Sequence, residues 1–163
     1  MKELLKTQKT TFMSTLDESN FPQASYAPFV IKENKMYIYI SRITEHYRNL
    51  IANGKISTMI IEDESNSKIL FARKRISFTG NAKKVDSVPN EVIEEFEEIH
   101  TKKMMDVFKG MDFDFFEIDL LKGRLVEGFG KAFDLTYADG DWKQEHVVLD
   151  GHSNANAQGH PHA

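Results

Sequence analysis

The sequence predicts a mostly β (α+β) domain, a small antiparallel barrel with helices on its outside. Three observations favour this fold. Several short runs are rich in β-branched and aromatic residues, which suit a pleated, half-buried surface. Polar turns separate these runs, and only two segments repeat apolar residues at helical spacing. A chain of 163 residues is long enough for one such domain with one hydrophobic core.

Six or seven strands are expected, each bounded by polar residues or glycine. Lys32 to Lys35 is a tight polar turn, so the strands on either side of it should form a hairpin. The segment from Ile69 to Arg75 fits either a helix or a strand. The expected strands are residues 10–16, 24–31, 36–40, 56–61, 76–85, 113–121 and 124–136.

Two helices are expected. The first begins after Thr44, a suitable N-cap, and ends before Gly54. The second spans residues 87–111, with Pro89 at an early helical position. Acidic residues lie near the start of this second helix and lysines towards its end, an order that complements the helix dipole.

Composition limits the classes of function. The net charge of −4 argues against a general nucleic-acid binder, which is normally basic. No stretch approaches the roughly 20 apolar residues that span a bilayer, so no membrane insertion is expected. The first residues lack the apolar region of a signal peptide, so we expect a cytoplasmic protein. Without cysteine the chain has neither disulfides nor thiolate metal ligands.

The C-terminal segment differs in composition from the rest of the chain. From Asp150 onward the residues are mainly glycine, histidine, asparagine and alanine. We therefore assign residues 1–149 to the barrel domain and residues 150–163 to a tail. The tail contains His152, His160 and His162. Imidazole is a common ligand of transition metals and of haem iron, although such a tail can equally be a disordered segment without a role.

A basic cluster of Arg73, Lys74 and Arg75 follows an apolar run. The forked guanidinium of arginine suits carboxylates and phosphates. A haem propionate or a flavin phosphate would satisfy this cluster equally well. A solvated surface is the alternative interpretation.

The segment from Gly128 to Asp134 also suggests a ligand site. Gly128 and Gly130 interrupt a predicted strand, which indicates a bulge or a close approach to a ligand or another backbone. Asp134 has a carboxylate that can hydrogen-bond an iron-bound water, although a single aspartate is more often structural.

Two further histidines have different expected roles. His46 and Arg48 lie at the start of the first helix, where anions are favoured, so both are candidate cofactor-binding residues. A capping or surface role for His46 is the alternative. His100 is expected to be a packed structural histidine of the second helix.

Together these segments resemble the haem-utilisation proteins of the HugZ/HutZ family. That family lies within the split-barrel superfamily of pyridoxamine-phosphate-oxidase-like flavin-binding proteins. The similarity covers most of the chain, and its most specific parts are residues 71–75, residues 128–133 and the histidine-bearing tail. The other matching stretches are residues 14–16, 22–29, 40–50 and 124–127.

The resemblance implies a homodimer of antiparallel split β-barrels, with flanking helices and with haem at the subunit interface. It further implies an axial iron ligand near the C-terminus, which by position falls on His160 or His162. We favour His160, because Gly159 and Pro161 can fix its backbone. The resemblance also implies a propionate contact from the basic cluster, here Arg75, and a hydrogen bond near the iron from Asp134.

Three functions are compatible with these features. The leading hypothesis is a haem-degrading oxygenase that releases iron, using dioxygen and an electron donor. The second is a non-catalytic haem carrier or store with the same site. The third is an FMN-dependent oxidoreductase of the pyridoxamine-phosphate-oxidase type, because the flavin-binding relatives keep phosphate-binding basic residues in similar places.

Overall fold

Eight antiparallel strands and four α-helices form the fold in the computed structural model, which describes residues 1–148. In β1 every second residue from Thr11 to Thr15 is buried, as expected for a strand with one face on a core. The strands are β1 (Thr10–Leu16), β2 (Pro22–Lys32), β3 (Lys35–Ser41), β4 (Lys55–Ile61), β5 (Arg75–Val85), β6 (Phe113–Gly128), β7 (Lys131–Ala138) and β8 (Asp141–His146). The helices are α1 (Lys2–Thr7), α2 (Glu45–Ala52), α3 (Asn90–His100) and α4 (Lys102–Lys109).

The sheet closes on itself through β6. Around the barrel the strands follow the order β3, β2, β1, β4, β5 and β6, and β6 then pairs with β3. The far half of β6 pairs with β7, and β7 pairs with β8. Two strands thus extend from a closed six-stranded barrel. The predicted mostly β, antiparallel barrel is confirmed, and so is the hairpin of β2 and β3, in which Lys32 pairs with Lys35.

Two hydrophobic clusters hold these elements together. The larger one fills the barrel, where Phe78, Phe116 and Ile118 are fully buried. The smaller one lies outside it, where Val92 and Phe96 of α3 and Met105 of α4 cover Val30 and Tyr37 of the β2–β3 hairpin. Burying each large apolar side chain contributes roughly 1.5–3 kcal/mol, so α3 and α4 are fixed to that side of the barrel.

The α2 helix packs at one end of the barrel through Leu50 and Asn49, both buried. The Asn49 side-chain nitrogen donates hydrogen bonds to Thr15 Oγ1 at 3.0 Å and to Gln23 Oε1 at 2.9 Å. A buried amide needs such partners, because an unpaired one costs about 1–3 kcal/mol. These bonds set the position of α2 against β1 and β2.

A carboxylate in β6 ties α2 to the strands. The Asp114 side chain accepts two hydrogen bonds from the Arg42 guanidinium, at 2.8 and 2.9 Å, and one from the Tyr47 hydroxyl at 2.6 Å. Lys84 Nζ lies 3.1 Å from the same carboxylate. The hydrogen bonds from Arg42, together with those from Tyr47 and Lys84, hold the pKa of the Asp114 carboxyl well below its ordinary value.

The predicted helix over residues 87–111 is wrong in one respect, because it is two helices. The helix is interrupted at Thr101, whose φ of 68° is left-handed and therefore incompatible with a continuous helix. The Thr101 hydroxyl then accepts a hydrogen bond from the Met104 amide and caps α4. The break allows Met105 to pack in the same cluster as Phe96.

The strand boundaries near the C-terminus also differ from expectation. β6 is continuous from Phe113 to Gly128, so the predicted gap at residues 122–123 is wrong. The predicted strand over residues 124–136 is instead the end of β6, a turn and β7. The polar β8 was not predicted, because its sequence has little apolar alternation. Trp142 anchors it by packing 5.1 Å from the ring of Phe78. The ambiguous segment before β5 contains a short 3₁₀ turn, Leu70–Ala72.

The low pKa of Asp114 leads to a prediction about acid stability. Since this pKa is depressed in the folded state, its contribution is present above the ordinary value of 3.8 and is lost as pH falls. We expect Asp114→Asn to lower the free energy of unfolding by about 2 kcal/mol at pH 7. The difference between the variant and the wild type should shrink as pH falls below 3.8, and it should vanish only below the folded-state pKa of Asp114, which lies well under that value. Urea unfolding across this pH range measures both effects.

The matched control for that experiment is Asp86→Asn. Asp86 is exposed and lies just beyond β5, so its replacement should change the unfolding free energy by less than about 0.5 kcal/mol at any pH. Equal pH profiles for Asp114→Asn and the wild type would contradict the role assigned to Asp114.

Candidate functional site

In the part of the chain that the structure describes, one side of the barrel is open to solvent, and we call it the outer face. It comprises the outward side chains of β1, β4 and β5, the first half of β2, the second half of β6, and β7. Phe12 and Tyr26 pair across β1 and β2 near its centre and expose 55% and 66% of their surface. One row of directly paired residues crosses the face, namely Tyr26, Phe12, Met59, Ser77, Arg124 and Asp134.

The outer face brings together two of the predicted site residues, Arg75 and Asp134. Arg75 pairs with Val126 of β6, and Val126 pairs with Ala132 of β7, two residues before Asp134. Because side chains two apart on a strand share a face, both lie on the same side of the sheet. Between them lies Arg124, whose Nε donates a hydrogen bond to Asp134 Oδ1 at 2.7 Å.

The other two members of the basic cluster stabilise the chain around Arg75. The Arg73 guanidinium donates a hydrogen bond from Nε to the Glu62 carbonyl at 3.1 Å and lies 3.6 Å from the Glu64 carboxylate. Lys74 Nζ lies 3.9 Å from the Glu3 carboxylate of α1. Arg75 itself donates from Nη1 to the Arg73 carbonyl at 3.1 Å. Arg73 therefore orders the connection between β4 and β5, from which Arg75 emerges.

Gly128 and Gly130 form the reversal between β6 and β7. Their φ angles are 150° and 66°, which side-chain-bearing residues rarely adopt. The register shifts between Val126 and Gly128, so the predicted bulge is confirmed. A Cβ added at either glycine would meet no described atom within 4 Å. Backbone conformation, and not close approach of the described chain, explains both glycines.

His46 and Arg48 lie apart from Arg75 and Asp134. Arg48 lines a cavity of about 330 Å³ that also contains Asp17, Glu18 and Glu45. The Nε2 atom of His46 is buried and has no hydrogen-bond partner within residues 1–148, and burial lowers the pKa of this histidine. The acidic lining of the Arg48 cavity disfavours an anion there.

The position of α2 explains this separation. Gly54, just after α2, accepts a hydrogen bond from the Ala82 amide at 2.7 Å. Ala82 is seven residues beyond Arg75 on β5, a distance of roughly 23 Å along an extended strand.

The remaining described histidines pack against aromatic rings. His100 stacks on Phe96 with ring centres 6.2 Å apart, and burial lowers its pKa. His146 contacts the ring of Phe133 and places Nε2 2.9 Å from the Gly130 carbonyl oxygen. Within residues 1–148 no group of three or more histidine, aspartate or glutamate side chains is arranged to hold a metal ion.

The tail histidines, His152, His160 and His162, lie outside the described residues. The last hydrogen bond before the tail joins the Val147 amide to the Ala132 carbonyl at 2.8 Å. Ala132 belongs to the same row of paired residues as Val126 and Arg75. The described part of the chain therefore ends beside the outer face.

Arg124 is a candidate site residue that sequence reasoning missed. The sequence contained one indication of its role, namely its spacing from Asp134. The two residues are equally far from Phe129 in the turn, as paired residues of a hairpin are. Treating residues 124–136 as one strand concealed this pairing.

None of the helices in the described chain is both long enough and apolar enough to cross a membrane.

Comparison with known proteins defines the class of this barrel. The family model described as pyridoxamine 5'-phosphate oxidase matches residues 1–127, and the chain belongs to that family of split barrels. Heme oxygenase HutZ of Vibrio cholerae is 35% identical over 142 residues, which are 85% of this chain and 81% of the relative.

Two solved structures narrow the assignment. HutZ from Vibrio cholerae, described as a heme storage protein, superposes with a TM-score of 0.67 at 35% identity, over 73% of this chain and 86% of that one. ChuZ of Campylobacter jejuni superposes with a TM-score of 0.78 at 29% identity, over 94% of this chain and 63% of that one. The chain is a member of the HugZ/HutZ family within this superfamily.

The exposed pair of Arg124 and Asp134 should contribute little to folding. Both side chains are about half exposed, and such pairs contribute about 0–1 kcal/mol because solvent screens them. We expect a double-mutant cycle of Arg124→Gln and Asp134→Asn to give a coupling free energy below about 1 kcal/mol in urea unfolding. A coupling free energy above this limit would contradict the expectation and indicate that the pair serves to stabilise the fold.

Proposed function

We propose that this chain binds haem on the outer face and degrades it, using dioxygen and an electron donor, so that iron is released. The 35% identity to heme oxygenase HutZ over most of both chains supports this most strongly. Haem is then a substrate. When bound, it supplies the iron that takes up dioxygen and electrons, while the protein holds and orients it.

The outer face suits such a molecule, because haem is an apolar plate with two carboxylates. Phe12 and Tyr26 provide exposed aromatic area, and Arg75 provides a guanidinium at the margin of the same face. A guanidinium can pair with a propionate through two hydrogen bonds. In this proposal Arg73 and Lys74 keep the segment before Arg75 in place.

We further propose that a second copy of the chain covers the outer face. Exposed aromatic side chains in one patch usually mark an interaction surface, and here Phe12 and Tyr26 are adjacent in register. Haem would lie between the two copies, so each barrel would contribute one wall. Sedimentation of the purified protein at several concentrations tests the homodimer.

The axial ligand is assigned to the tail, with His160 first, His162 second and His152 third. His46 and His100 belong to helices away from Arg75 and Asp134, and His146 faces Phe133. From Val147 to His160 the chain has 13 residues, which span up to roughly 45 Å when extended. The tail is thus long enough to bring His160 over the outer face.

Asp134 is proposed to accept a hydrogen bond from a water beside the iron. Its carboxylate has two oxygens, and only Oδ1 is engaged by Arg124 Nε. The hairpin turn at Gly128 and Gly130 fixes β7 against β6 and thereby sets the position of Asp134. His46 and Arg48 remain predicted cofactor-binding residues, but they lie apart from Arg75 and Asp134 and take no part in the site proposed here.

Two alternatives have specific support. The description of HutZ as a heme storage protein favours a carrier or store without turnover. The family match favours an FMN-dependent oxidoreductase, in which Arg75 would meet a phosphate. The visible spectrum of the purified protein, with and without added haemin, distinguishes flavin from haem.

The tail assignment predicts distinct effects of three histidine replacements. We expect His160→Ala to weaken haem binding by at least about tenfold, since even groups that only orient a metal ligand contribute about 10- to 100-fold. The Soret band should shift as well, because the axial ligand changes. If His160 is the ligand, His152→Ala should bind as the wild type does, so this replacement of another tail histidine is the matched control.

Other outcomes of the haemin titration have clear meanings. An effect of His162→Ala alone would move the ligand to His162. Wild-type spectra and affinity in the double variant of His160 and His162 would refute the tail assignment. A yellow protein that ignores haemin would support the flavin alternative.

Degradation is tested by incubating the haem complex aerobically with a chemical reductant. We expect the Soret band to disappear and iron to become available to a chelator. The same incubation without oxygen is the control and should leave the band intact. A Soret band that persists in air would favour the store over the oxygenase.

A further inference from the structure

We infer that Lys122 and Arg124 form a second carboxylate-binding subsite on the outer face, separate from Arg75. The inference rests on the proposed binding of haem and names the residues that would hold its other propionate. Both are on β6, two residues apart, so both side chains point to the outer face.

The subsite is a small cavity of about 190 Å³. Lys122 and Arg124 line it, together with Asp134 and the hydroxyl-bearing Ser57, Ser77 and Thr79. Ammonium, guanidinium and hydroxyl groups can all donate hydrogen bonds to a carboxylate. A carboxylate of a ligand would therefore find several donors within one cavity.

The charges in this cavity leave a cation available. Arg124 is paired with Asp134 through Nε, and its two terminal nitrogens remain as further donors. No ion pair of Lys122 occurs within residues 1–148. Two cations and one carboxylate give the cavity a net charge of +1. Glu145 of β8 is the cross-strand neighbour of Asp134. The acidic side of the cavity is therefore at Asp134, and the positive side is at Lys122.

A larger cavity of about 390 Å³ adjoins the first one on the outer face. It is lined mainly by apolar atoms, including those of Leu16, Ile56 and Leu121. The two cavities share Ser57 and Thr79 as a common wall. An amphipathic ligand fits this arrangement, with an apolar ring on Leu16 and Leu121 and a carboxylate beside Lys122.

The distance from Arg75 makes this a different subsite. Lys122 pairs with Thr79, four residues along β5 from Arg75, which is roughly 13 Å on an extended strand. Because the backbones that carry the two cations are that far apart, the two carboxylates of one ligand can each have their own partner.

The experiment is a titration of haem and of its dimethyl ester into three proteins: the wild type, Lys122→Gln and Lys9→Gln. Lys122 is exposed, so its replacement should leave folding intact. Lys9 is an exposed lysine beside the glutamates of α3, so Lys9→Gln gives the same change in net charge away from the outer face. Affinities are read from the Soret absorbance.

We expect Lys122→Gln to weaken haem binding by about tenfold, as for one lost charge-assisted hydrogen bond. The dimethyl ester should bind equally to all three proteins, because it has no carboxylate for Lys122. The ratio of haem to ester affinity should therefore fall about tenfold only in Lys122→Gln.

Two results would overturn the inference, and they are distinguishable. If the wild type binds haem and the affinity ratio is the same in all three proteins, the subsite is wrong and the proposed function stands. If the wild type binds neither haem nor its ester, the proposed function fails and the subsite with it.

Discussion

The pairing of β6 with three different strands is the constraint on which the rest of the structure depends. Its first half closes the barrel against β3, one edge pairs with β5 throughout, and its second half carries β7. Closure pairs β3 with β6, so neither end of the six-stranded part of the sheet is left as a free edge. It also means that Asp114, at the start of β6, and Arg124, near its end, are placed by one continuous strand. The bonds that fix α2 and the cations of the outer face are thus set by the same register.

Within residues 1–148 the two sides of the barrel differ because α3 and α4 pack on one of them and not on the other. The α3 and α4 helices bury Val30 and Tyr37 on the β2–β3 side. On the other side Phe12 and Tyr26 remain exposed beside Arg75 and Arg124. Sheet faces with buried partners gain the apolar contribution that stabilises the fold, whereas the outer face keeps apolar area exposed. If the proposed function is correct, stability and binding are divided between opposite sides of one barrel.

Local sequence patterns predicted most strands, because alternation and turn residues are short-range signals. They did not predict β8, whose residues are almost all polar and whose order comes from Trp142 packing on Phe78. They did not predict the break at Thr101, which depends on the contact between α3 and α4. In the candidate site Arg75 and Asp134 were predicted, while Lys122 and Arg124 were missed. A cation on a strand is recognisable as a site residue only when its cross-strand neighbours are known, and those follow from the hairpin at Phe129 and Gly130.

The positions of the described histidines bear on how a barrel of this kind could select haem over flavin. Guanidinium and ammonium groups accept a phosphate or a propionate with little preference, so Arg75, Lys122 and Arg124 alone do not distinguish flavin from haem. Iron adds the requirement for an axial ligand, and His46, His100 and His146 are engaged or placed elsewhere. In the function proposed above the tail supplies that ligand, and the chain leaves β8 beside Ala132, in the row of Arg75. Selectivity for haem would then depend on the tail, while the barrel supplies the anion contacts that either cofactor needs.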